Sequence, residues 1–184
     1  MRTAALVVFA VLAGPAFAAA TGRVVGPDGA PIAGAEVCES VEGAPEHCVT
    51  ADSGGVYRME KPSRASLVVR ASGFVAKTVD AAPLSAPVEL RRAAVLLVTV
   101  VDAVTGQPLS SGRVMIGAPS GKRVGDSVPF NRAGVRISTL DPGPVFVRVV
   151  ASGYQPGGPV PVDLVGGAER SVRVPMTKLD GTSH

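Results

Sequence analysis

Gly22-Arg23-Val24-Val25-Gly26-Pro27-Asp28-Gly29-Ala30-Pro31-Ile32-Ala33-Gly34-Ala35-Glu36-Val37 reads as a strand, a glycine-containing turn, a proline with an aliphatic neighbour, and a second strand. The same order returns in Val98-Thr99-Val100-Val101-Asp102-Ala103-Val104-Thr105-Gly106-Gln107-Pro108-Leu109-Ser110-Ser111-Gly112-Arg113-Val114. Downstream, Gly55-Val56-Tyr57-Arg58-Met59 matches Gly134-Val135-Arg136-Ile137-Ser138. Leu67-Val68-Val69-Arg70-Ala71-Ser72-Gly73-Phe74 matches Val147-Arg148-Val149-Val150-Ala151-Ser152-Gly153-Tyr154. The displacement is 77 residues from Pro31 to Pro108 and 80 from Gly73 to Gly153. Two copies at this period make two compact modules in tandem, not a solenoid.

Working outward, the rest of the chain fits short strands. Its 22 glycines and 16 prolines punctuate valine-rich runs, and no stretch has the periodicity of a long amphipathic helix. Valine suits a pleated surface because its branched Cβ fixes χ1 and packs well there. In Val145-Phe146-Val147-Arg148-Val149 the valines point one way, with Phe146 and Arg148 pointing the other. Each copy is expected to close on a short strand, Val88-Glu89-Leu90 and Val172-Arg173-Val174. The boundary falls at Arg91 to Ala94 and lacks the Gly/Ser run of a flexible linker, so the modules, 21–93 and 94–178, should sit in a fixed relation. Residues 179–184 read as a frayed tail.

The N-terminus reads as a signal peptide over residues 1–20. Arg2 supplies the positive start, Ala4 to Leu12 the apolar run, and Ala16-Phe17-Ala18 the small-x-small pattern, with cleavage after Ala18 or Ala20. The apolar run is too short for a lasting bilayer span, so no membrane span is expected in the mature chain. The expected location is the periplasm or the outside of the cell. In such an oxidising compartment Cys38 and Cys48 are expected to form a disulfide. A metal site using His47 and Glu46 is the rival; zinc sites show four ligands in paired spacings, and Cys38 stands alone.

At these residues the sequence resembles the carboxypeptidase regulatory-like domains. Gly22 to Val37, then Thr50-Ala51-Asp52-Ser53-Gly54-Gly55-Val56-Tyr57, then Val69-Arg70-Ala71-Ser72-Gly73-Phe74 match three signatures of that family in order. The second copy is a divergent relative, without the Asp-x-x-Gly loop before Gly134. The resemblance implies an all-β chain of two tandem seven-stranded Greek-key β-sandwiches, similar to transthyretin and to starch-binding modules. It also implies an accessory role, since such modules stand beside peptidases, receptors or adhesins.

The inventory offers little for catalysis. Of two histidines, His184 is the last residue and His47 lies in the Cys38–Cys48 loop, with no glutamate placed as a zinc peptidase needs. Gly117-Ala118-Pro119-Ser120-Gly121-Lys122 imitates a phosphate loop but is one residue short, and Arg123 replaces the required Ser or Thr. Asp28, Asp52, Asp102, Asp126 and Asp141 lie near turns without the tight spacing of a calcium loop. A Lys–Asn crosslink from first to last strand fails because Asn131 is the only asparagine. Basic residues are scattered, with Arg91-Arg92 and Lys122-Arg123 the adjacent pairs and a net charge of +3, so nucleic acid is excluded.

The expectation is therefore a non-enzymatic protein without cofactor or metal, acting on a protein partner in the cell envelope through sheet edges or loops. The alternative is a carbohydrate-binding protein of the starch-binding-like fold. It is opposed by the absence of tryptophan and the small set of mature aromatics: Tyr57, Phe74, Phe130, Phe146 and Tyr154. Gly29, Pro31, Gly106 and Pro108 are assigned to turns. Gly73-Phe74 and Gly153-Tyr154 are assigned to corners where the ring covers the open end of the core as a buried aromatic.

Overall fold

The computed structural model describes residues 19–39, 47–60, 62, 66–81, 86–120 and 127–179. The leader to residue 18, Glu46, the Lys122-Arg123 loop, Asp126 and the tail from 180 with His184 lie outside these residues. The first module runs β1 (Ala20–Val25), β2 (Glu36–Glu39), β3 (His47–Thr50), β4 (Val56–Met59), β5 (Ser66–Arg70), β6 (Lys77–Asp80) and β7 (Val88–Glu89). The second runs β8 (Ala94–Asp102), β9 (Ser111–Gly117), β10 (Val128–Asn131), β11 (Val135–Leu140), β12 (Gly143–Val150), β13 (Gly157–Leu164) and β14 (Glu169–Met176).

Each module faces a three-stranded sheet with a four-stranded one. The orders are β4-β1-β7 with β3-β2-β5-β6, and β11-β8-β14 with β10-β9-β12-β13. The second set is the first with every strand advanced by seven, so the repeat in the sequence is a repeat of topology. In both modules the first and last strands pair in parallel, β1 with β7 and β8 with β14. The expected two tandem seven-stranded sandwiches are present.

Period-two burial makes the cores. In β8, Ala94, Leu96, Val98 and Val100 are buried, while Val95, Leu97 and Thr99 between them are half-buried. Across from them lie Val114 and Ile116 of β9 and Val145, Val147 and Val149 of β12. The first core gathers Val24, Val37, Tyr57, Met59, Leu67, Val69 and Leu90. Each large aliphatic residue so buried contributes about 1.5–3 kcal/mol over its exposed state. Ala20 is wholly buried and pairs with Met59, so the sandwich begins two residues after Ala18.

One backbone device closes both modules. Gly55 has φ +74° and Gly134 φ +85°; a Cβ on either would lie 2.4 Å from the carbonyl oxygen of Val24 or Val98. Their N–H groups donate back to Asp52 and Asn131 carbonyls. The Asp52 carboxylate accepts from the N–H of Gly54 and Val56, and the Asn131 amide oxygen from that of Ala133. The second copy's missing Asp-x-x-Gly loop is thus an Asn-x-x-Gly loop of the same construction.

Between β7 and β8 the chain is tied to both modules. Arg91 donates to Asp141 at 2.6 Å. The Gly167 N–H donates to Ala93, and the Val95 N–H to Ala168. A Cβ at Gly166 would lie 2.8 Å from the Arg92 carbonyl, so this turn rests directly on the junction.

One expectation needs correction. β7 is short, as read, but β14 runs eight residues, not the three of Val172–Val174. Hydrogen bonds at its ends, Val95 N–H to Ala168 and Ala103 N–H to Met176, show that even-numbered residues face β8. Pro175 is odd-numbered, so its missing N–H points outward and costs the ladder nothing.

Candidate functional site

The assigned turn residues fall at equivalent places. Gly29 and Gly106 have φ of 74° and 70°, and Pro31 and Pro108 bridge to Val25 and Val101. Gly73 and Gly153 have φ of 82° and 80°, a conformation that suits glycine after a valine-rich strand. Phe74 and Tyr154 follow, bridging to Arg92 and Lys178. Both rings are half-buried against their cores and not enclosed, which revises the buried aromatics expected.

At this end of the second module the repeat changes chemistry. Asp102 holds the place of Gly26: Asp102 N–H donates to Gln107 as Gly26 N–H donates to Ala30. Its Oδ1 accepts from the N–H of Val104 at 2.9 Å and of Thr105 at 2.8 Å, and its Oδ2 from the Tyr154 hydroxyl at 3.0 Å. The Thr105 and Val104 N–H groups, with Tyr154, hold the Asp102 carboxyl below the usual carboxylate range. Donation to Asp102 pushes Tyr154 above the usual tyrosine range. In the first module the equivalent corner has Gly26 and Phe74, with neither this carboxylate nor this hydroxyl. There the Arg92 guanidinium lies 5.7 Å from the Phe74 ring centroid and 3.7 Å from Asp28.

The polar corner opens into a cleft of about 240 Å³ lined by Asp102, Thr105, Gln107, Pro108, Ser110, Ser111, Arg132, Ser152 and Tyr154. Of the assigned turn and corner residues, Pro108 and Tyr154 meet here. Arg132 and Ser152 were not singled out in the sequence; they lie on different loops, twenty residues apart. A carboxylate, a guanidinium and several hydroxyls in an open cleft can hydrogen-bond a polar ligand.

Other surfaces differ. A groove of about 360 Å³ on the outer face of the β10-β9-β12-β13 sheet is lined by Met115, Gly117, Phe146, Arg148 and Pro159. In the first module, Cys38 and Cys48 oppose each other on β2 and β3 and are bonded. The Arg70 guanidinium lies 3.3 Å and 3.8 Å from their sulfurs and also holds Glu36. His47 Nδ1 stands 3.7 Å from Glu39, a buried carboxylate no sequence signal announced. The described residues contain no group of three His, Cys, Asp or Glu able to hold a metal ion. Nor do they contain a helix long and apolar enough to cross a membrane.

Sheet edges also differ. β10 carries Pro129 and β13 carries Pro159 and Pro161, which interrupt the donor row along both edges of that sheet. β11 has an irregular register between Ile137 and Leu140. β14 is free of proline over its first six residues.

Residues 19–97 match the family model of the carboxypeptidase regulatory-like domain, a match that covers the first module and ends inside β8. No curated protein matches the chain. Among solved structures, the Bacillus anthracis TIE protein is 17% identical over 89% of this chain and 34% of its own, with a TM-score of 0.41. A streptococcal ancillary pilin is 15% identical over 88% of this chain and 62% of its own, TM-score 0.43. A minor pilin of Streptococcus agalactiae is 16% identical over 89% and 98%, TM-score 0.42. The chain thus spans about a third of the first of these proteins and under two thirds of the second.

Proposed function

We propose that this chain, whose first module is a carboxypeptidase regulatory-like domain, is an exported, non-enzymatic accessory protein that holds a protein partner at the loop end of its second module. The observation that carries this reading is the cleft around Asp102, Arg132, Ser152 and Tyr154. Asp102 and Tyr154 stand where the first module has Gly26 and Phe74, at the loop end of the sandwich, where recognition loops are usefully placed. Export is supported by the leader and by the Cys38–Cys48 bond, which belongs in an oxidising compartment. The buried Ala20 favours cleavage after Ala18 over cleavage after Ala20.

The test is capture from the envelope fraction by the purified mature chain, beside the Arg132→Glu and Ser152→Trp variants. A defined protein retained by the parent and lost by both variants is the expected result. Equal retention by all three, or no retained protein, overturns it. A second reading, carbohydrate binding, is favoured by Phe146, whose ring lies in the groove with Arg148 and offers a flat apolar face. Glycan-array binding lost in Phe146→Ala would establish that reading instead.

A further inference from the structure

β14 is an edge strand whose exposed side is self-complementary. Its even-numbered residues face β8, so the N–H and C=O groups of Glu169, Ser171 and Arg173 point away from the sheet. All three residues are exposed, and their side chains share one face. A second β14 laid antiparallel, with the two-fold axis at Ser171, places Glu169 opposite Arg173 of the second copy, and Arg173 opposite Glu169. Each of the three residues then exchanges its N–H and C=O with its opposite number. Opposite charges directly across an antiparallel pair attract, and the two-fold axis supplies that attraction twice.

The present partners of these side chains do not oppose this. Glu169 meets Arg136 at 3.4 Å with both side chains about half-exposed, and Arg173 donates to the Gly106 carbonyl at 3.0 Å. Exposed pairs of this kind are weak and exchangeable. The remaining edges of the second module carry prolines or an irregular register, as above, so β14 is the longest open edge among the described residues.

We infer that the chain self-associates as a two-fold dimer through β14, continuing the sheet as β11-β8-β14 joined to the β14-β8-β11 of a second copy. The occupant is a second copy because the charge pattern is its own complement. Sedimentation and light scattering of the purified chain test this across concentration and salt. The parent is expected to dimerise, with Glu169→Arg and Arg173→Glu each weakening association at least roughly tenfold by setting like charges in register. A mixture of these two variants restores a one-to-one dimer, since every opposed pair is again attractive. Ser171→Pro removes an outward N–H only, as Pro175 already does in the same phase, and leaves a monomer. A parent that stays monomeric, a mixture that fails to recover, or a Ser171→Pro chain that dimerises like the parent overturns the inference. Loss of partner capture at the Arg132 cleft is read separately, because none of these residues lines it.

Discussion

The two modules share one topology and reach stability by different means. The first has short strands, a last strand of two residues and a disulfide across β2 and β3. The second has a nine-residue first strand paired along eight residues of β14, a larger core among the described residues and no cysteine. A small sandwich buries too little apolar surface to be generous with its margin, so a covalent tie across a short hairpin compensates for missing strand length. Where the strands are long, that tie is unnecessary, and its place on β9 and β10 is taken by ordinary packing. The lesson is that the repeated features, turns and corners, set the topology, while strand length and crosslinks adjust stability module by module.

The comparison breaks most severely at the shared device. Gly55→Ala and Gly134→Ala should each cost about 3 kcal/mol or more, from positive φ together with overpacking against a carbonyl. Calorimetry should show each variant lowering the melting transition of its own module first. A variant that melts like the parent would mean the two loops are not built alike.

Removing the tie comes next. A Cys38→Ala/Cys48→Ala chain should lose about 2–3 kcal/mol, confined to the first module, in the chain-entropy account of a loop this short. Reduction of the parent should do the same; hydrogen exchange would localise the loss to β1 to β7. Equal loosening of both modules would show that the junction couples them into one cooperative unit.

Smaller again is the corner. Phe74→Ala should cost about 1–2 kcal/mol, less than a fully enclosed ring, because the ring is half-buried. Thermal melts measure it, at roughly 4–8 °C per kcal/mol for a domain of this size.

The smallest effect is electrostatic and distinguishes the corners by pH. The chain has two tyrosines and no tryptophan, so ultraviolet titration resolves phenolate formation. Both should ionise above the ordinary range: Tyr57 because it is buried, Tyr154 because it donates to Asp102. Asp102→Asn should return Tyr154 toward the ordinary value and leave Tyr57 unchanged. The sign for Asp102 itself follows from its lowered pKa. Its stabilisation is present above the unfolded carboxylate range and is lost as the pH falls through the lower folded value. For Tyr154 the raised pKa makes its contribution full below the unfolded tyrosine range and lost as the pH rises beyond it.

Much of the fold was legible because glycine and proline mark backbone geometry directly. Gly29 and Gly106, or Gly73 and Gly153, announce the same positive φ in both copies. Strand length was less legible: the closing strand read as Val172 to Val174 runs on past Pro175, whose missing N–H points outward from β8. The cleft was hidden because Asp102 and Tyr154 meet from 52 residues apart. A signal existed in the repeat itself, where Gly26 becomes Asp102 and Phe74 becomes Tyr154 together. Glu39 gave none, since its burial depends on sharing a face with Val37 at the end of a short strand.

The parallel pairing of first and last strands has a mechanical meaning. If the chain is pulled from its two ends, β1 and β7, or β8 and β14, slide past each other, and their hydrogen bonds are loaded in shear, all together. Eight paired residues hold the second module and two hold the first, so under tension the first gives way at lower force. It then extends only in part, because the segment between Cys38 and Cys48 stays closed by its covalent bond. Single-molecule stretching would record two unequal steps, the weaker one lengthened by reductant. A chain so built resists tension unequally: the first module yields early, short of full extension by the stretch its disulfide closes, while the second keeps hold.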